Sequence, residues 1–317
     1  MSTYPTRSAF IPEVKTTAEP PIGSQPPLAT WFIVLISCFF LTDDAMAQGQ
    51  DSSKWSRDQQ VIEVMLAGFY ANANQSYFDG RLKVQSPQPR ADIEINAGTS
   101  NNQFSIIYTD KGTGESLEQT WVLTTDDTRK AVRMEITDAQ GNMTCPLYWQ
   151  REAAQFRATR NDECDNSEAD SPSELVLSNA QLWWWSTTTE APYKLHRARE
   201  FTCYADVPGV GGGRDEPYNR YDNMSVHDQG ADAWFETDEG RRLGLSLFAV
   251  DWPINNYEGF FTRDSLVLYI LEELEDGSVK EHGYAFTEPD VERIGINLKW
   301  MLASCFLVSG RDAVPSM

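Results

Sequence analysis

Between residues 104 and 186 the chain is a series of short segments in which apolar and polar residues alternate, and this period-two pattern constrains the fold more than any other feature. Residues 104–109, 117–124, 131–137, 145–150, 155–160, 174–178 and 182–186 are rich in β-branched and aromatic side chains. Turn chemistry separates them at residues 110–114, 139–142 and 161–163. Strands this close in sequence pair most simply with their neighbours, and a long antiparallel meander curls and closes to bury its apolar face. The expected fold is mainly β, an antiparallel up-and-down barrel. One helix precedes it over residues 58–71, where Val61, Val64, Met65 and Leu66 recur at helical spacing behind Ser56 as a candidate cap.

Acidic residues outnumber basic ones 47 to 26, leaving a formal charge of −21. Such a surface repels phosphate backbones and anionic headgroups, which argues against nucleic-acid binding through a basic patch. Hydrophobic residues make up 41% of the chain, enough to build a packed core and to exclude wholesale disorder.

The N-terminus departs from this pattern. Residues 1–27 are polar and Pro-rich, residues 28–41 are largely apolar, and Ala45-Met46-Ala47 offers a small-x-small signal peptidase site. The apolar run is shorter than the roughly 20 residues an untilted helix needs to cross a bilayer. The expectation is a signal peptide over residues 1–47, cleavage near Ala47, and a secreted or periplasmic protein with no transmembrane anchor. A lipoprotein cut before Cys38 competes with it, although the apolar run continues through Phe39, Phe40 and Leu41.

Cleavage would remove Cys38 and keep Cys145, Cys164, Cys203 and Cys305, an even set that allows three pairings. The simplest joins Cys145 to Cys164 and Cys203 to Cys305 as structural disulfides of an oxidising compartment. No Cys-x-x-Cys is present, and His196, His227 and His282 are far apart in sequence, so no metal site is expected.

Residues 193–204 read as a further strand with Tyr193, Leu195, Arg197, Arg199, Phe201 and Cys203 on one face. Arginines in such apolar company either cover apolar surface with their stems or meet an anion. Residues 208–213, Pro-Gly-Val-Gly-Gly-Gly, form a break. Beyond it residues 243–250, 265–272 and 279–286 are strand candidates, the last two joined through the hairpin signal Asp276-Gly277. The organisation expected is a barrel domain over residues 48–205 and an additional β-rich region over 206–317 packed on it.

No Gly-x-Ser-x-Gly elbow, Walker loop or His-Glu-x-x-His occurs. His227-Asp228 falls in a turn with no nucleophile nearby in sequence and reads as a surface histidine. If Trp183-Trp184-Trp185 lies on a strand, its middle ring points opposite to its neighbours.

Three groups of residues also stand in a recognisable order. The first is Gly68, Phe69, Tyr70, Asn72 and Gln75; the second is Cys145, Trp149, Phe156, Thr159 and Cys164, followed by residues 173–178 and Leu182-Trp183; the third is Tyr193 followed by Arg197. Together they resemble the CpcT/CpeT family of bilin chromophore lyases, over about residues 60–205. The chain departs from the family at Glu118-Gln119-Thr120, where an Arg-Gln-Arg cluster is usual, and at Ala158, where the family has Gly.

The resemblance implies a calycin-like barrel whose mouth receives an open-chain tetrapyrrole, with an acceptor-protein cysteine adding to the ring-A ethylidene. The bilin would be substrate or ligand, with no further cofactor. Under that reading Arg197 and Arg199 meet propionates, Tyr70 and Trp149 line the pocket, and Glu174 is the catalytic carboxylate near the pyrrole nitrogens. A non-catalytic secreted calycin binding a hydrophobic or tetrapyrrole ligand is the competing reading, and a homodimer is left open.

Overall fold

A computed structural model describes residues 43–161, 171–186, 190–209, 217–256 and 259–308. The apolar run before residue 43, Cys164 and residues 210–213 of the glycine-rich break lie outside them. Helix α1 (Asp43–Leu66) leads into ten strands: β1 (Gly68–Ala71), β2 (Ala91–Ala97), β3 (Gln103–Asp110), β4 (Ser116–Asp126), β5 (Ala131–Asp138), β6 (Leu147–Glu152), β7 (Gln155–Arg160), β8 (Pro172–Leu177), β9 (Gln181–Ser186) and β10 (Tyr193–Arg197). A second helix, α2 (Ala73–Leu82), lies between β1 and β2. Each strand pairs antiparallel with the next, and β10 returns to β1, so the meander closes into a calycin-like barrel without free edges.

The alternation read from the sequence sorts residues between the interior and the outer wall. Phe104, Trp121, Trp149 and Phe156 point inward and are buried, while Glu174 and Arg157 take the outer parity of their strands. Trp184 points inward, and Trp183 and Trp185 pair outside it with ring centroids 5.9 Å apart. Helix α1 lays Val61, Ile62, Met65 and Leu66 over one end of this core. Asp58 holds it there through an ion pair with Arg151 of β6 at 2.9 Å.

The helix ends at Leu66, not at residue 71 as its periodicity suggested. Gly68 takes a φ of +150°, and a β-carbon there would meet Nε of Arg197 at 3.1 Å. The next residues supply the short strand that pairs with both β2 and β10. Barrel closure is a long-range demand, and it overrides the local helical pattern.

The strand expected over residues 193–204 is likewise divided, because the chain leaves the barrel at Ala198-Arg199. Strand β11 (Glu200–Pro208) starts a different layer, so the change falls ahead of the boundary expected at residue 205. The remaining strands are β12 (Tyr218–His227), β13 (Gln229–Glu236), β14 (Arg242–Asn256), β15 (Gly259–Glu273), β16 (Val279–Thr287), β17 (Arg293–Asn297) and β18 (Leu302–Leu307). They form two four-stranded sheets, ordered β12-β11-β18-β17 and β13-β14-β15-β16. Phe201, Cys203 and Ala205 from the first sheet pack with Leu243, Leu245, Leu266 and Leu268 from the second, which defines a β-sandwich with its own core.

Cys203 and Cys305 stand directly opposite each other on β11 and β18, with Cα atoms 4.0 Å apart, and are bonded. Cys145 is also disulfide-bonded. Among the described residues no helix is long and apolar enough to cross a membrane.

Candidate functional site

The seam where β1 meets β10 gathers residues from opposite ends of the barrel sequence. Tyr70 is in register with Arg197. The Tyr70 hydroxyl lies 2.8 Å from the carbonyl of Met65 and 3.1 Å from that of Leu66, so it satisfies the last turn of α1. Burial holds this hydroxyl protonated, with Arg197 opposing weakly. Asn72 staples β1 to the start of β2, donating to the carbonyl of Pro89 at 2.8 Å and accepting from the amide of Ala91 at 2.7 Å. Gln75 donates to the carbonyl of Pro192 and accepts from the amide of Lys194, which ties α2 to β10.

The five residues expected to bind or act on a ligand occupy different environments. Tyr70 and Trp149 are interior core residues, 0% and 1% exposed, and the Trp149 indole donates to the sulfur of Met134. Glu174 lies on the outer wall of β8, paired with Arg157 at 2.9 Å, so it faces away from the interior. Arg199 lies past the end of β10, and its Nε is 2.6 Å from Asp228, whose side chain is 2% exposed. Arg197 has no ion-pair partner among the described residues. Its Nη2 donates to the carbonyl of Ala67 at 3.0 Å, while its Nε is buried without a hydrogen-bond partner.

Two clefts share Arg197 and Ala198 in their walls. The larger, about 640 Å³, is bounded by His196, Arg199, Asp228, Asp251 and Asp264 as well. Asp251 and Asp264 oppose each other in register on β14 and β15. Burial, then the hydrogen bond and charge of Asp264, raises the pKa of Asp251, with His196 opposing. Among the described residues no group of three or more His, Cys, Asp or Glu side chains is placed to hold a metal ion.

The second cleft, about 560 Å³, runs along the outside of the seam between Phe69, Ile95 and Ala97 on the barrel side and Glu200 and His227 on the sandwich side. The imidazole of His227 lies 4.3 Å from the Phe69 ring, centroid to centroid. Its Nδ1 accepts from the amide of Gln229 at 3.2 Å, which leaves the proton of the neutral ring on Nε2. Burial lowers the pKa of this histidine, against smaller effects of Asp228, Asp92 and Glu200. Both clefts are within the roughly 300–1,000 Å³ range of small-molecule sites.

His227-Asp228 is therefore not a surface pair. The turn between β12 and β13 buries Asp228 against Arg199 and presses His227 onto the barrel. No local signal in the sequence pairs Arg199 with a carboxylate 29 residues away. The chain matches no protein-family model, no curated protein and no solved structure.

Proposed function

We propose that this chain is a CpcT/CpeT-like chromophore lyase, handling an open-chain tetrapyrrole for thioether attachment to an acceptor-protein cysteine. The observation that carries this reading is the convergence of the first and third groups of residues behind the resemblance on one seam of a closed ten-stranded antiparallel barrel: Gly68 packs against Arg197, Tyr70 is in register with it, and Gln75 binds next to Tyr193. In the implied reaction the acceptor thiol adds across the ring-A ethylidene. The sulfur–carbon bond forms, the thiol proton moves to the bilin skeleton, and nothing leaves. In the reaction the resemblance implies, the thiol belongs to another protein; among the described residues Cys145, Cys203 and Cys305 are disulfide-bonded. This chain would bind and orient the bilin and exclude water, with Arg197 meeting a propionate. A secreted or periplasmic setting, reached by removal of residues 1–47, accords with its disulfides.

One observation favours the competing reading, a secreted calycin that binds without catalysing. The carboxylate assigned to catalysis, Glu174, is committed to Arg157 on the outer wall. Titration with biliverdin and phycocyanobilin, followed by absorption spectra, tests both readings, and a red-shifted band at one equivalent is expected. Its absence with both bilins would overturn the lyase reading and restrict the binder to a ligand other than these bilins. Incubation with a cysteine-bearing acceptor, read by zinc-induced fluorescence on a denaturing gel, separates them: a covalent fluorescent band is expected for the lyase and not for the binder.

A further inference from the structure

We infer that the ligand site is the cleft outside the seam and not the barrel interior, that barrel and sandwich build it jointly, and that it takes an amphipathic carboxylate between Arg197 and His227. The bilin reading supplies the ligand's identity; the cleft is argued from its own residues. The interior of the barrel is occupied by its own side chains, Trp121, Trp149, Phe104 and Phe156, with α1 across one end. The cleft, by contrast, has an apolar wall of Val64, Phe69 and Ala97.

Two donors stand at the edge of that wall. Arg197 lines the cleft and forms no ion pair among the described residues, unlike Arg199. His227 is oriented by Gln229 so that Nε2 carries its hydrogen. A carboxylate can accept from both while its apolar body lies on Phe69 and Val64. Glu94 and Glu200 also border the cleft and repel further negative charge, which disfavours a phosphate or closely spaced dianion. His227 and Glu200 come from the segment after the barrel, so the site is incomplete without the sandwich.

Fluorescence titration of the full chain with dansylundecanoate, beside absorption titration with biliverdin and biliverdin dimethyl ester, tests this inference. One saturable site for the fatty acid is expected. Arg197→Gln should weaken it about ten-fold or more, the cost of a charge-assisted hydrogen bond. Ala97→Trp, on the exposed rim, should block the cleft with the fold retained by circular dichroism, and it decides the matter if the arginine variant is unfolded. His227→Phe keeps a ring against Phe69 but removes the donor, and should weaken binding several-fold. The dimethyl ester should bind more weakly than biliverdin and be insensitive to Arg197→Gln. Unchanged affinity for the fatty acid in folded Ala97→Trp, or no binding of it, overturns the cleft. Biliverdin binding that ignores Ala97→Trp overturns the cleft and keeps the bilin reading. Fatty-acid binding with the expected variant pattern but no biliverdin binding keeps the cleft and overturns the bilin reading.

Discussion

Arg199 grips Asp228 at two points: its backbone amide donates to one carboxylate oxygen at 2.9 Å and its Nε to the other at 2.6 Å. The arginine stands at the end of the barrel sequence and the aspartate at the turn between the two sandwich sheets, so this contact sets where one layer system hands over to the other. The backbone adds to it, since the amide of Ala249 donates to the carbonyl of Asp228 and that of Ala198 to the carbonyl of Phe69.

Removing the Arg199 side chain should therefore cost stability before it costs binding. Asp228 would stay buried with its charge uncompensated, and Arg199→Ala should destabilise by about 3 kcal/mol. Urea unfolding followed by tryptophan fluorescence would show this as a lower midpoint. A midpoint within error of the parent would mean that the aspartate is solvated.

Tyr70 and Trp149 are expected to behave as core residues. Tyr70→Phe keeps the ring but strips the carbonyls of Met65 and Leu66 of their donor, at about 1 kcal/mol. Trp149→Ala opens a cavity beside Met134 and should cost about 3–5 kcal/mol. If folded Tyr70→Phe instead abolished ligand binding at unchanged stability, the residue would belong to the site.

Acid should destabilise the sandwich in two steps. His227 is held below its usual 6.5 by burial, so the unfolded chain takes a proton before the native one does. Its contribution is present above about pH 6.5 and is lost as the pH falls below that. The guanidinium of Arg241, seconded by His282, lowers the Glu272 carboxyl from 4.5 to about 2, against an opposing effect of burial. Stability from Glu272 is full above pH 4.5 and is lost as the pH falls toward 2. Asp251, raised by burial and by Asp264, acts the other way and favours the folded state on acidification. Urea midpoints measured across pH should lose the upper step in His227→Phe and the lower one in Glu272→Gln. Both steps persisting in the double variant would assign them elsewhere.

The Cys203–Cys305 bridge closes a separation of 102 residues, for which chain entropy gives close to the upper value of about 4–5 kcal/mol. The double serine variant should unfold at lower urea by an amount approaching that figure. Peptide mapping without reductant should recover the linked peptides, and free thiols at both positions would exclude the bond.

The barrel was legible because its information is local. The alternation of Phe104 with Ile106, or of Trp121 with Leu123, records which side of the wall each residue takes, and Asp276-Gly277 marks a hairpin whose Gly277 has a φ of +77°. The second sheet system was only partly legible. The stretch over residues 218–236 alternates weakly, and its strands were identified by their partners: β12 by β11 and β13 by β14. The candidate site was the least legible part. Arg197 and Arg199, two residues apart on one apparent strand face, read as a matched pair, yet the strand ends between them and only one finds a carboxylate.

The sequence by itself determined the class of fold, the inward and outward parity of the barrel strands, and the supply of cysteines for a cross-strand bridge, because period-two burial, turn geometry and residue type act between near neighbours. Only the tertiary structure decided that residues 68–71 are a strand and not the end of a helix, that Asp228 is a buried counter-ion, and that Arg197 opens on a cleft walled by both layer systems. These outcomes depend on which distant segments meet when the barrel closes and the sandwich folds against it. The free energy of burying a charge or pairing a strand edge is fixed by those neighbours and not by the residues adjacent in the chain.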